Sequence, residues 1–142
     1  MLTTIIEASK NFCQHQIRED FELSDGISQS RTLIAYIDID TQDGTTYRVY
    51  IASDKNFMQR ISTLFLEEDE SDEETLIDMC LETTNLIVGS AKVIAEEANE
   101  NPYTIKTPHF VKTDKFDFEY DQAKVIKIGN DELTIAIKEL DG

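Results

Sequence analysis

Tryptophan is absent, and cysteine, proline and histidine occur only twice each in 142 residues. With no CxxC pair and two distant histidines, His15 and His109, there is no zinc-ligand spacing. Cys13 and Cys80 each fall within an expected helix, which reads as buried free thiols and implies a reducing compartment. No apolar run reaches the roughly 18 residues that span a bilayer. The opening MLTTIIEASKNF is too polar for a secretory signal, so a soluble, cytoplasmic protein is expected. Basic residues are scarce: 13 Lys and Arg stand against 29 Asp and Glu, a formal net charge of −16. Such a surface repels nucleic acid and anionic membranes, which removes both as partners.

What is present suits one globular domain, residues 1–142, with 40% hydrophobic residues available for a core. Leu2, Ile5, Ile6, Phe12, Cys13 and Ile17 recur at helical spacing and predict an amphipathic helix over 2–17. Residues 19–30 read as a polar connection. The period then changes to two: 31–40 and 45–52 are strands, joined through a hairpin signal at Asp43-Gly44. Asp54 is placed to cap a helix over 55–66. Residues 67–74, EEDESDEE, are seven acids and one serine, a solvated loop or exposed helix start. Ser71 and Glu74 have capping-box spacing before a long helix over about 73–98.

After that helix, 103–112 reads as extended, interrupted by Pro108, and Phe116, Phe118 and Tyr120 alternate with acids. Residues 123–128 and 132–140 flank a second hairpin signal at Gly129-Asn130. The order is helix, two strands, two helices, then three or four strands. The predicted fold is therefore α/β of the α+β type, a mostly antiparallel sheet with helices packed on it.

The long helix carries the functional signal. At 100° per residue, Leu76, Cys80, Ile87, Ala91 and Ile94 form a buried stripe, flanked by Ile77, Val88 and Ala95. Asp78, Glu82, Asn85, Gly89 and Lys92 line up opposite. Any amphipathic helix has a polar face, but this one contains a glycine, which costs about 1 kcal/mol against alanine. A missing side chain one turn past Asn85 would let another backbone approach closely.

Asp78, Glu82, Asn85 and Pro108 fit the pattern Asp/Ser-x3-Glu-x2-Asn-x22-Pro, with 22 residues between Asn85 and Pro108. In this pattern the chain resembles the CheC/CheX/FliY phosphatases of bacterial chemotaxis. Glu-x2-Asn alone is a weak signal: Glu96 and Asn99 repeat it, without the acid before or the proline after. Only one complete copy is present, as in CheX-like members, and Glu7 and Asn11 in the first helix are spaced four apart. The element order resembles the whole CheX-like domain, so the likeness covers nearly all of the chain. By analogy with that subgroup, a homodimer joined through sheet edges is expected.

The resemblance implies a protein aspartyl-phosphate phosphatase acting on a phosphorylated CheY-like receiver. It also implies no cofactor on this chain, with Mg²⁺ supplied by the receiver. Glu82 and Asn85 become the catalytic pair: Asn85 orients the attacking water and Glu82 pairs with a lysine of the receiver. Asp78 and Gly89 become partner-binding residues, and Pro108 a structural one. The chemistry suits an amide, because an acyl phosphate is already reactive and the loose transition state rewards positioning over deprotonation. Three other readings compete: a non-catalytic adaptor or sink for the phosphorylated receiver, a structural part of the flagellar switch, and an unrelated acidic interaction domain.

Overall fold

The computed structural model describes residues 2–98 and 103–140. Alternating apolar residues in 31–53 and 122–140 dictate long strands, and these build one antiparallel sheet of seven strands. They are β1 (Glu22–Asp25), β2 (Arg31–Thr41), β3 (Thr46–Ser53), β4 (Tyr103–Ile105), β5 (His109–Lys115), β6 (Gln122–Ile128) and β7 (Asp131–Leu140). The order across the sheet is β1-β6-β7-β3-β2-β4, with β5 also pairing with β2. The strands β4 and β5 thus run in succession along the same edge of β2. Both predicted hairpins form. Gly129 occupies the first loop position between Ile128 and Asp131 with φ +61°, where a side chain would be strained.

Three helices cover one face: α1 (Leu2–Asn11, continued by a π-helical segment, Phe12–Ile17), α2 (Lys55–Leu66) and α3 (Glu73–Glu97). Odd-numbered residues of the central strands meet them. Leu33, Ile37, Val49, Ile51, Leu133 and Ile135 are buried against Ile5, Phe57, Ile61, Ile87 and Val88. Each such aliphatic side chain contributes about 1.5–3 kcal/mol of transfer free energy. The even-numbered face holds a smaller cluster of Ile34, Tyr50, Ala52 and Ala136, closed by Phe116 and Phe118.

Asp54 starts α2 as expected, its carboxylate accepting the Phe57 backbone N–H at 2.7 Å. The other oxygen accepts from Glu132 N–H at 2.7 Å, so one side chain joins the helix start to β7. Burial raises the Asp54 carboxyl above its ordinary value. Cys13 and Cys80 are free and buried, and loss of solvation pushes both thiols up to about 12.

Several expectations need correction. Residues 19–30 are not wholly a connection, since Glu22–Asp25 adds to the sheet as an edge strand beside β6. Its residues are all exposed, so backbone pairing holds it and hydrophobic alternation does not. The cap of α3 is Asp72, accepting from Thr75 N–H at 2.8 Å, and not Ser71. Ser71 instead turns toward α2, its N–H donating to the Gln59 carboxamide oxygen at 2.8 Å. Phe116, Phe118 and Tyr120 alternate in a loop rather than a strand, and Phe118 stacks on Tyr50 at 5.2 Å between ring centroids.

Candidate functional site

The helix α3 is 25 residues long, and its position follows from its burial pattern. Leu76, Met79, Cys80, Thr83, Thr84, Ile87, Val88, Ala91 and Ala95 are buried. That arc is wider than the predicted stripe because α3 packs on α1, α2 and the sheet at once. Two threonines enter it with their hydroxyls satisfied locally. Thr84 Oγ1 donates to the Cys80 carbonyl at 2.8 Å, and Thr83 Oγ1 faces Met58 Sδ at 3.8 Å. Ile77 and Ile94, assigned to the stripe, are only half-buried.

Local contacts fix the helix rather than its outer face. Asp72 closes the N-terminus, where Glu73 and Glu74 also suit the positive end of the dipole. Tyr103 on β4 donates its hydroxyl to the Val88 carbonyl at 3.2 Å, one residue before Gly89. Burial raises that phenol, so it stays a neutral donor.

Asp78, Glu82 and Asn85 are all exposed on the solvent side of α3. Glu82 and Asn85 make no hydrogen bond or ion pair with the described residues. Both polar heads are therefore available to a second molecule, three residues apart on one helical ridge. Gly89 continues the ridge at the next turn, half-buried, and a Cβ built there would meet nothing within 4 Å. No packing constraint within the chain requires a glycine at that point. Lys92, placed on this ridge by the sequence, is half-buried instead.

Pro108 falls in the break between β4 and β5, where Lys106 N–H donates to the Asp38 carbonyl at 2.9 Å. A residue without an N–H is tolerated at such an edge. Since α3 packs on both β4 and β5, the proline lies in the segment beside the helix and not on the ridge. His109 is exposed and rests against Tyr36, with ring centroids 5.3 Å apart. Asn99 of the incomplete second Glu-x2-Asn pair lies outside the described residues. Among the described residues, no three His, Cys, Asp or Glu side chains are grouped to hold a metal ion.

The sequence reading missed one feature of the ridge. Leu86 and Val93 are exposed on the same helix, so the outer face is not purely polar. The signal was available: on the wheel, Leu86 lies only about 40° from Glu82.

Solved structures share this fold across almost the whole chain. A chemotactic CheC-like protein from Shewanella oneidensis MR-1 is 13% identical, with a TM-score of 0.78 over 96% of this chain and 97% of that one. The chemotaxis protein CheX from Vibrio vulnificus is 18% identical, with a TM-score of 0.74 over 96% and 98%. A CheX–CheY–BeF3–Mg²⁺ complex from Borrelia burgdorferi gives 15% identity and a TM-score of 0.72 over 96% and 97%. Identities this low establish the fold alone. No curated protein matches by sequence. The family model described as chemotaxis phosphatase CheX, however, matches residues 35–129, from β2 through α3 to β6, ridge included. On that match the chain belongs to the CheX family of chemotaxis phosphatases.

Proposed function

We propose that this chain hydrolyses the aspartyl phosphate of a CheY-like receiver, with Glu82 and Asn85 entering the receiver's phosphorylation pocket. The observation that carries the reading is the exposure of both side chains on one ridge without a partner among the described residues. Family membership supplies the reaction class, and the Borrelia burgdorferi complex supplies the kind of partner.

In this reading the Asn85 carboxamide holds a water in line with the phosphorus–oxygen bond to the aspartate. Water attacks phosphorus, the aspartyl carboxylate leaves, and the proton passes to the phosphate released. An amide cannot accept that proton, so its contribution is positional. Glu82 carries the wrong charge to touch phosphate and the right charge to pair with a receiver lysine, which orients the helix. Mg²⁺ belongs to the receiver, where it offsets charge on the phosphoryl oxygens. Asp78 and Gly89 contribute to docking, and Pro108 shapes the strand edge beside α3. A cytoplasmic homodimer joined through a free sheet edge, β1 or the β4–β5 side, belongs to the same reading.

The test adds the chain in substoichiometric amount to a receiver phosphorylated by a small acyl-phosphate donor and follows inorganic phosphate. Release well beyond one equivalent per chain is expected. Binding without accelerated release would reject catalysis in favour of a sink or adaptor.

A further inference from the structure

The large exposed apolar side chains are concentrated beside the ridge. Leu64, Phe65 and Leu66, at the end of α2, are 47%, 37% and 45% exposed, and Leu86 on α3 is 39% exposed. Phe12 links them: its ring meets Phe65 edge-on at 6.1 Å, and with Leu86 it lines a surface cavity of about 270 Å³. A strip thus runs from the end of α2 to the residue next to Asn85. Unpaired apolar surface of this kind marks an interaction site more often than chance exposure does.

The charge around the strip selects its occupant. Residues 64–74 comprise three apolar side chains, seven acids and one serine, with no lysine or arginine. Glu67, Glu68, Asp69 and Glu70 follow Leu66 directly and are all exposed. Asp78, Glu82, Glu96 and Glu97 extend the same sign along α3. An apolar strip rimmed on this scale by carboxylates is complementary to an apolar surface rimmed by lysine or arginine.

We propose that the receiver docks on this strip beside its phosphorylation pocket, meeting Leu64, Leu66 and Leu86 with an apolar surface flanked by basic residues. The inference rests on the function proposed above and adds where the partner's body sits. The strip supplies affinity by desolvation, and the acidic run accelerates encounter through its field. Glu82 and Asn85 then enter the pocket with the helix already held.

The probe is a CheY receiver loaded with BeF3⁻ and Mg²⁺, a stable stand-in for the aspartyl phosphate, titrated against the chain by calorimetry. The double variant Leu64→Ser/Leu66→Ser should weaken binding about tenfold or more, as loss of buried interface anchors does. Leu23→Ser, exposed at the far edge of the sheet, should leave it within about twofold. Asp69→Asn/Glu70→Gln changes only exposed loop residues and keeps the fold. It should slow association at low salt and flatten the dependence of the rate on ionic strength. Equal affinity in the Leu64→Ser/Leu66→Ser variant, an equal loss in Leu23→Ser, or an unchanged salt dependence would overturn the docking surface. These readouts are binding constants, so they stand apart from phosphate release. Loss of turnover in Asn85→Ala alongside unaltered binding in the strip variants would sink this inference and leave the catalytic reading intact.

Discussion

Asp54 shows how one side chain serves several elements. Its carboxylate satisfies an orphan N–H at the start of α2 and another on β7, both at 2.7 Å. Asp54→Ala removes both acceptors and should destabilise the fold by about 1–3 kcal/mol, read as a lowered midpoint in thermal or urea unfolding. Asp72 caps α3 from an exposed position, and hydrogen bonds from Thr75 hold its carboxyl below the ordinary 3.8. A lowered carboxyl in the folded state favours folding above the unfolded value, and that contribution disappears as pH falls below 3.8. Asp72→Asn keeps a capping acceptor without the titration. Its unfolding midpoint should therefore fall less steeply than that of the wild type on acidification below that value. An identical slope would assign the acid sensitivity to other carboxylates.

At the scale of elements, α2 was legible to its ends, because the cap at Asp54 and the helical period both act within the segment. The strand β1 was not, because Leu23 is the one apolar residue in Glu22–Asp25 and the pairing partner lies about a hundred residues away. The sequence of α3 showed the ridge but understated the buried arc. Thr83 and Thr84 are buried because a third helix packs there, which no single-helix period reveals. Gly89 tests the ridge at this scale. An added Cβ has open space within the chain, so Gly89→Ala should stabilise α3 by about 0.5–1 kcal/mol. If the receiver approaches closely at this turn, the same methyl should weaken binding of the BeF3⁻-loaded receiver several-fold. Gain of stability with undiminished binding would show that the glycine serves neither fold nor partner.

Over the whole molecule, the antiparallel sheet with helices on one face follows from where the hydrophobic period changes, and so was legible early. The second, smaller cluster on the opposite face was not. It depends on Phe116 and Phe118 folding back over Tyr50, a contact between distant segments that carries no local pattern. The ridge was found through the spacing of four residues, Asp78, Glu82, Asn85 and Pro108, whereas the apolar strip beside it emerged only with the packing of α1, α2 and α3. The formal charge of −16 then gives the molecule a field that repels other acidic surfaces and draws in basic ones. Within that field, catalysis is assigned to a single carboxamide. The most direct measurement is the single-turnover rate of phosphate release at saturating phosphorylated receiver, for the wild type and Asn85→Ala. The account predicts a rate at least tenfold lower for the variant, about 1.4 kcal/mol of transition-state stabilisation, with affinity for the BeF3⁻-loaded receiver within about twofold. An unchanged rate at saturation would contradict it.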